Sequence, residues 1–307
     1  MLSQGAVTGR FGYSACVVLA GICWGLTGLC NRFITPAGFS QTQIMFMRGF
    51  IPLILLAVYM LVFNRAAFKI KLKDLWCFLG SGLLSLTMFG VAYMSAMQEM
   101  SLSMAVVLLY TSPIFVILLS APLFKERITL TKIIALVLVI LGAICTTGVI
   151  LGSLTITVKG LLYGIISGLG YALYSIFSRF AFQRGYKPLT VTFYTFLFSV
   201  IALAFICDPG EIPGLITTPT IAGWIVALGI VTCLIPYLLY TKGLEGIENG
   251  TASILATIEM VVATLVSALF FQEPFGLANL IGIVLVFAGI VIMNVRMPGK
   301  APSKIEG

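Results

Sequence analysis

One acidic residue, Glu259, lies deep within a long apolar segment of the chain. In a helix it would lie about nine residues from the start of that segment, roughly 13 Å deep at 1.5 Å per residue. A carboxylate at that depth in a bilayer costs several kcal/mol and normally faces a wet cavity. Its position therefore predicts chemistry with a cationic substrate, with a proton, or with both. The other acids lie at segment ends, in polar connections or in the tail, and they are Asp74, Glu99, Glu126, Asp208, Glu211, Glu245, Glu248, Glu273 and Glu306.

Small side chains accompany Glu259 along one face of the predicted helix. Ala252, Ala256, Ala263 and Ser267 follow one another and Glu259 at spacings of three or four residues, which is the spacing of a single helical face. Such a face favours a carboxylate that lines a cavity. The alternative is a structural acid that hydrogen-bonds to a neighbouring helix at a point where small residues allow close packing.

Aromatic residues fall at a similar depth in other apolar segments. Trp24 and Tyr171 lie mid-segment, and further rings that carry hydroxyl groups are those of Tyr110, Tyr174, Tyr237 and Tyr240. Rings around a carboxylate would suit an ammonium group through cation–π attraction, or they could stack on an aromatic substrate. The alternative is that Trp and Tyr anchor helix ends at the lipid interface. For the mid-segment residues we favour a substrate cavity.

Three further polar residues are secondary candidates. Arg48 lies about one turn and a half into the second apolar segment and could contact an anionic group such as an amino-acid carboxylate. We favour a structural role, in which it snorkels to the interface or pairs with an acid, for example with Glu99. Asn31 and Ser178 lie near the ends of the first and sixth segments, where they could act as gate residues or simply anchor helix ends.

The chain repeats itself without a gap at an offset of 147 positions, the separation of Arg32 and Arg179. Each half carries five apolar segments, and because five is odd, the second half must enter the membrane from the opposite side. An inverted repeat in a membrane is typical of alternating-access transporters. Other matched pairs are Gly82 and Gly229, Tyr93 and Tyr240, Glu126 and Glu273, and Gly142 and Gly289.

The repeat is not symmetric in its chemistry. The position equivalent to Glu259 is Ser112, which is followed by Pro113. One half therefore offers a carboxylate and the other a hydroxyl. A proline within a helix also frees a backbone carbonyl that could line the same cavity.

The composition excludes a soluble globular protein, because 60% of the 307 residues are hydrophobic and only 9% are charged. The apolar runs are about 20 residues long, enough to cross the hydrocarbon core as helices. We predict an all-α membrane protein with ten transmembrane helices arranged as a 5+5 inverted repeat. The predicted segments are 11–33, 43–63, 75–97, 102–124, 130–150, 159–182, 189–207, 220–242, 251–271 and 277–296.

The basic residues support this orientation. Arg65, Lys69, Lys71 and Lys73 lie between the second and third segments, whereas the equivalent connection in the second half has no Lys or Arg. With both termini in the cytoplasm, most basic residues lie inside, as the positive-inside rule requires. We therefore expect a multi-pass protein of the plasma (cell inner) membrane, and the net charge of +8 is explained without nucleic acid. The first apolar run is too long for a signal peptide and is predicted to span.

No motif for catalysis or nucleotide binding is present in the sequence. We therefore expect no enzymatic activity and no bound ATP, so that an ion gradient or the gradient of the substrate would supply the energy. The chain has no histidine, and its seven cysteines all fall in apolar segments, where packing explains them. We expect no metal and no cofactor.

Two stretches, Tyr93 to Thr129 and Tyr240 to Phe275, resemble the helix-pair motifs of EamA-type transporters of the drug/metabolite transporter superfamily. The residues that carry this resemblance are Arg48, Pro113, Glu259, Glu126 and Glu273. Members of that family usually have Glu-Pro in the ninth helix, where this chain has Glu259-Met260, which could change the local helix geometry.

This resemblance implies ten helices with cytoplasmic termini and a central cavity among helices 1, 3, 4, 6, 8 and 9. It also implies transport of amino acids, nucleosides, amines or other metabolites, with many members acting as exporters.

Together these features predict a secondary transporter, or permease, for a small polar metabolite. An amino acid or an organic amine is favoured, with export as the direction and protons as a possible coupling ion. Residues 1–150 would form the first repeat, 151–298 the second and 299–307 a cytoplasmic tail, in a protein that works as a monomer. One alternative is an importer of choline or another quaternary ammonium compound. Another is a membrane-embedded scaffold or enzyme that does not transport.

Overall fold

Helices account for every regular element that the computed structural model describes, in residues 4–149 and 157–294 with side chains from residue 11 onward. The predicted boundary near residue 150 and the tail at 299–307 lie outside the described residues. We number the helices α1 to α10 in chain order. Their bounds are α1 Gln4–Gly25 continued by Thr27–Ile34, α2 Gln41–Phe63, α3 Leu75–Glu99, α4 Leu102–Leu109 continued by Ser112–Phe124, α5 Leu130–Thr146, α6 Val158–Gln183, α7 Pro188–Ala204, α8 Pro219–Leu244, α9 Asn249–Ala256 continued by Ile258–Phe271, and α10 Leu277–Asn294.

The lengths and hydropathy of these helices confirm a multi-span membrane protein. Within the described residues, eight helices are long and apolar enough to cross a bilayer, and α7 becomes a ninth when it is joined to Pro209–Leu215 across a bend of 93°. The remaining helix, α5, is apolar but has only 17 residues. Large apolar side chains such as Leu19, Val58 and Phe287 are exposed along the outer surface, as contact with lipid requires.

Polar residues just before the apolar runs define where several helices begin. In five helices, the side-chain oxygen of the preceding residue accepts the backbone N–H three positions on, and these residues are Ser40, Ser101, Thr129, Thr157 and Thr218. Such caps satisfy N–H groups that have no partner within the helix. Helix α9 has no such cap, because the side chain of the preceding residue, Glu248, accepts no N–H of the helix. The carboxylate of Glu126, just after α4, accepts the first two N–H groups of α9 instead.

The backbone irregularities recur at the offset of the sequence repeat. A π-helical stretch ends at Thr87 in α3 and at Leu234 in α8, which are equivalent positions. Helix α4 is interrupted at residues 110–111, and α9 is interrupted at residue 257, the equivalent of 110. Lys125 and Gln272, also equivalent, both adopt left-handed backbone conformations after α4 and α9. One interruption is not shared, because α1 breaks at Leu26 while α6 is continuous.

The two halves are interleaved through equivalent contacts. Helix α1 packs against α8 and α9 of the second half, α6 packs against α3 and α4 of the first, and α5 packs against α10. Glycine permits the closest approaches: a Cβ atom on Gly21 would lie 2.4 Å from Ile258 Cγ2, and one on Gly168 would lie 3.0 Å from the Leu108 carbonyl oxygen. The centre of the molecule is therefore bounded by α1, α3, α4, α6, α8 and α9.

Candidate functional site

The break in α9 places Glu259 in the first turn of a new helical segment, Ile258–Phe271. At the break, the Thr257 hydroxyl donates to the carbonyl of Ile254, and the Met260 N–H donates to the carbonyl of Thr257 at 3.0 Å. In α4 the equivalent segment starts with Ser112-Pro113, so a proline marks the break there. The absence of proline after Glu259 therefore does not remove the interruption. The N-terminal end of a helical segment also favours a carboxylate, because its unpaired N–H groups carry partial positive charge.

The Glu259 carboxylate has unused hydrogen-bonding capacity. Tyr171 Oη donates to Glu259 Oε2 at 3.3 Å. Among the residues that the structure describes, no Lys or Arg nitrogen lies within 4.0 Å of this carboxylate. A carboxylate can accept about four hydrogen bonds, so most of its acceptor positions are open to a ligand, a proton or water.

A narrow cavity opens beside this carboxylate between α4, α6 and α9. Its space suffices for about one water molecule in this conformation. The equivalent residues Ser112 and Glu259 therefore line one cavity, as expected for two halves that meet at the centre. The full lining is Tyr110, Ser112, Tyr171, Ser253, Ala256, Thr257 and Glu259.

A second cavity lies on the other side of Tyr171 and is mainly aromatic. Its lining residues are Trp24, Ser85, Leu86, Phe89, Tyr171, Tyr174, Tyr237 and Tyr240. Tyr171 lines both spaces, and we call the two cavities together the central region. All seven residues of the predicted primary site and cavity line this region.

The rings of the second cavity meet at Trp24. Its centroid lies 5.3 Å from that of Tyr240, 5.4 Å from Tyr237 and 6.1 Å from Tyr171, with tilted or edge-to-face geometry. Tyr174 contacts Tyr237 edge-to-face at 5.0 Å. Such geometries are the favourable ones for aromatic pairs and hold the rings in place.

The tyrosine hydroxyls have different partners. The Tyr174 hydroxyl hydrogen-bonds to Thr241 Oγ1 at 2.5 Å, and the Tyr240 hydroxyl to Ser175 Oγ at 2.8 Å. These two residues therefore contribute ring surface to the cavity while their hydroxyls join α6 to α8. Tyr171 is different, because its hydroxyl is bonded to the central carboxylate.

Arg48 lies near this region, but its hydrogen-bond partner is not Glu99, the residue suggested from the sequence. Its Nη2 donates to the backbone carbonyl of Thr232 in the π-helical stretch of α8 at 3.0 Å, and its buried Nε has no partner. Glu99 instead accepts a hydrogen bond from Thr157 Oγ1 at 3.1 Å, so the expected pairing of Arg48 with Glu99 is wrong. The sequence could not predict the pairing, because tertiary packing sets the rotation of each helix about its own axis.

Asn31 and Ser178 are not brought to the cavities. They occupy equivalent positions in α1 and α6, and Asn31 Oδ1 and Ser178 Oγ are both buried without a hydrogen-bond partner. Neither residue lines the two spaces described above. Their role as gate residues stays a prediction.

Sequence reasoning missed several cavity residues. Ser85 is the equivalent of Thr232 and lies in the π-helical stretch of α3, while Leu86 and Phe89 are residue types that any core contains. Tyr240, one of the hydroxyl-bearing rings selected from the sequence, also lines the second cavity. Within the part of the chain that the structure describes, no group of three or more His, Cys, Asp or Glu residues could hold a metal ion.

The fold and the site together define a polytopic helical membrane protein with two similar halves and a polar, aromatic-lined centre. Comparison with protein families identifies two successive matches to the EamA-like transporter family, over residues 12–148 and 158–295. The chain belongs to this family, and membership indicates a role in membrane transport.

Individual relatives support the same assignment. An uncharacterized transporter from Archaeoglobus fulgidus is 32% identical over 202 residues, covering 66% of this chain and 70% of the relative. The uncharacterized transporter YwfM from Bacillus subtilis is 24% identical over 288 residues, covering 92% of this chain and 93% of the relative. A protein of known crystal structure aligns with a TM-score of 0.76 at 18% identity, covering 91% of this chain and 95% of that one, which shows the shared fold.

Proposed function

We propose that this protein is a secondary transporter that moves a small polar metabolite, an amino acid or an organic amine, by alternating access. The observation that carries the proposal is the Glu259 carboxylate, which lies at the centre of the molecule beside Tyr171 and without a basic partner in the described residues. A half-buried carboxylate at the centre of a helical membrane protein is costly unless it meets a cation or a proton. An ammonium group would supply the missing charge.

The aromatic residues would form the wall of the binding site. Trp24, Tyr171 and Tyr237 present rings next to the carboxylate region, and such rings attract cations and pack against apolar groups. Tyr110 and Ser112 would complete the polar side around Glu259. Both cavities are narrow in this conformation, so binding of a metabolite requires the helices around them to move apart.

The proposed architecture is ten spans in two inverted halves, residues 1–150 and 151–298, with both termini in the cytoplasm and the chain acting as a monomer. The recurrence of helix breaks and π-helical stretches at equivalent positions supports two copies of one structural unit. Export through the plasma membrane is the direction that we propose, on the basis of the family resemblance. Either the substrate gradient or an exchanged proton at Glu259 would drive it.

The decisive experiment is flux in proteoliposomes that contain the purified protein. Labelled amino acids, primary amines and choline would be loaded and their loss measured for the wild type, Glu259→Gln and Glu245→Gln. Glu245 is the matched control, since it is a carboxylate that pairs with Lys242 at the end of α8, away from both cavities. We expect Glu259→Gln to abolish flux and Glu245→Gln to retain it.

Full flux in Glu259→Gln would defeat the site assignment. Flux of choline but not of amino acids or amines would favour the quaternary ammonium alternative. Absence of flux for every compound would defeat the proposed substrates. Uphill movement when only a pH gradient is imposed would identify protons as the coupling ion, whereas flux that follows only the substrate gradient would identify a facilitator.

A further inference from the structure

The connection between α2 and α3, residues 64–74, has a defined backbone conformation. It contains two 3₁₀ turns, Arg65–Phe68 and Leu72–Asp74. Three hydroxyl groups from the second half, at the connection between α6 and α7 and at the start of α7, hydrogen-bond to its backbone. These bonds join Thr190 Oγ1 to the carbonyl of Ala67 at 3.0 Å, Tyr194 Oη to the carbonyl of Phe68 at 2.7 Å, and the N–H of Lys71 to Tyr186 Oη at 2.9 Å. The α2–α3 loop is therefore held against the second half of the chain.

This loop presents positive charge that no acid compensates. Its one acid, Asp74, has a side chain that is only 6% exposed, and both carboxylate oxygens are used. Arg184 Nε donates to Oδ1 at 3.0 Å, and Tyr186 Oη donates to Oδ2 at 2.8 Å. Among the described residues, no carboxylate oxygen lies within 4.0 Å of the exposed basic side chains on and beside the loop, which are Arg65, Lys69, Lys71, Lys73 and Lys187.

Exposed apolar side chains lie next to these charges. Leu72, between two lysines of the loop, is 85% exposed, and Phe63 at the end of α2 is 74% exposed. Trp76 at the start of α3 is also exposed, and the Arg184 guanidinium carbon lies 4.7 Å from the centroid of its ring. Aromatic and basic residues together at the ends of spanning helices are typical of the interface between hydrocarbon and headgroups. The charges of the loop therefore lie at the level of lipid headgroups.

We propose that the α2–α3 loop binds the headgroup of an anionic phospholipid, with its exposed apolar side chains against the acyl chains. Clusters of four or more basic residues directly beside a spanning helix attract anionic lipids. This lipid site is separate from the central region, and its existence does not depend on the transported substrate. Because the loop belongs to the first half and is bonded to the second, a bound lipid would stabilise the contact between the halves.

Orientation in the membrane does not by itself explain this arrangement. Basic residues orient a protein through their number in a connection, whatever its backbone conformation. Here three hydrogen bonds from the other half fix the backbone that carries the lysines. The equivalent connection in the second half has no base, and its positions equivalent to the three lysines hold Ile216, Thr218 and Thr220. A fixed backbone with clustered charge at one end of the molecule fits a binding surface.

Two phospholipids that differ only in headgroup charge test this inference. Native mass spectrometry of the purified protein in a non-ionic detergent would measure the binding of phosphatidylglycerol and of phosphatidylcholine with identical acyl chains. We expect the wild type to bind phosphatidylglycerol at least roughly tenfold more tightly. The preference should decrease as the salt concentration is raised, because salt screens exposed charges.

Substitution of two lysines then assigns the preference to the loop. Lys71→Gln/Lys73→Gln should weaken phosphatidylglycerol binding by roughly tenfold or more and leave phosphatidylcholine binding unchanged, since each basic side chain near an anionic surface contributes about fivefold. The control, Lys125→Gln/Arg127→Gln, removes two exposed charges just after α4. Glutamine fits at position 125, because its equivalent Gln272 has the same left-handed backbone conformation. We expect the control to keep the wild-type preference.

Three results would overturn the lipid site. The first is equal affinity of the wild type for the two phospholipids. The second is a lysine variant that binds phosphatidylglycerol as the wild type does, or a control that loses as much affinity as the lysine variant, which would indicate a response to total charge. The third concerns glycerol 3-phosphate, which has a phosphate group but no acyl chain. Its displacement of phosphatidylglycerol at equal concentration would identify a site for a soluble anion instead.

Discussion

Glu126 and Glu273 occupy equivalent positions at the ends of α4 and α9, but only Glu126 is buried. Its side chain is 8% exposed and accepts hydrogen bonds from the backbone N–H groups of Asn249 at 2.7 Å and Gly250 at 3.2 Å. Glu273 is 48% exposed and pairs with Arg32 at 3.1 Å. One contact between the halves is therefore a buried cap on a helix N-terminus, and its equivalent is a surface ion pair.

This difference predicts unequal effects of the same substitution. Glu126→Gln removes a charge that interacts with two helix N–H groups and with Lys132, so the free energy of unfolding should fall by about 2 kcal/mol. Glu273→Gln removes an exposed ion pair, which is worth less than about 1 kcal/mol. Thermal unfolding of the two variants in the same detergent would compare them. Equal losses would contradict the assignment of Glu126 as a buried cap.

Alternating access predicts that the two ends exchange these arrangements. By the repeat, the opposite state would place Glu273 against the N-terminus of α4 at Leu102 and Ser103, the equivalents of Asn249 and Gly250. In a background without native cysteines, cysteines at 102 and 273 should be joined by a short bifunctional thiol reagent only when that state is populated.

Cysteines at 126 and 249 should be joined in the state described above. A transported substrate in excess should increase the yield of one cross-link and decrease the yield of the other. Yields that rise and fall together would contradict an exchange of the two ends.

The glycines of α1 differ in what surrounds them. A Cβ atom on Gly21 would lie 2.4 Å from Ile258 Cγ2 and 2.7 Å from the carbonyl oxygen of Ala256, whereas one on Gly28 would meet nothing within 4 Å. Gly21→Ala should therefore force α1 away from the break in α9, lower stability by about 1–3 kcal/mol and reduce transport. Gly28→Ala should be neutral or stabilising, since alanine favours a helix. Unfolding temperature and flux measured for both variants would check this, and similar behaviour of the two would argue against close packing at Gly21.

Tyr171 should matter through its hydroxyl. Tyr171→Phe keeps the ring between the two cavities and removes the hydrogen bond to Glu259, so we expect roughly tenfold lower kcat/KM with the fold retained. Tyr163, on the outer surface of α6, is the control, and Tyr163→Phe should leave flux unchanged. If Tyr171→Phe behaves as the control does, the hydroxyl has no part in transport.

The break in α9 should accept the proline that other family members carry. Met260 lies in the first turn of the segment Ile258–Phe271 and is the equivalent of Pro113 in α4. Met260→Pro loses the hydrogen bond to Thr257 and some buried volume, so we expect a loss of about 1–2 kcal/mol with flux retained. Leu265→Pro, in the middle of the same segment, should lose at least about 3 kcal/mol. Comparable losses in both variants would show that α9 is not interrupted at this point.

Much of the fold could be predicted from the sequence, because the length and hydropathy of an apolar segment are local properties. The predicted segments 102–124 and 251–271 match α4 and α9 closely, since each is an apolar run that ends at polar residues. The interruption of α1 at Leu26 was not predicted, and neither were the π-helical stretches. Pro236 does mark the stretch in α8, because it has no N–H to bond the carbonyl of Thr232 four residues earlier, but proline alone does not specify a π-helical geometry.

The candidate site was predictable in composition but not in contacts. Glu259 and Trp24 were selected because a carboxylate or an indole in the middle of an apolar run is unusual, and both line the central cavities. The suggested partner of Arg48 was wrong, because Thr232 is remote in sequence and accepts through its backbone, which every residue possesses. Pro236 indicates that this carbonyl lacks its helical partner, but the sequence does not indicate which side chain reaches it.

The sequence by itself determined the membrane class, the duplication, the family and the residues that bring polarity into the bilayer. All of these follow from residue types and their spacing. Only the tertiary structure decided that Glu126 is buried against α9 while Glu273 lies at the surface. The two acids are alike in the repeat, and they differ because the end of α4 packs against the start of α9 more closely than the end of α9 packs against the start of α4. This packing is a collective property of many weak contacts that no single position encodes.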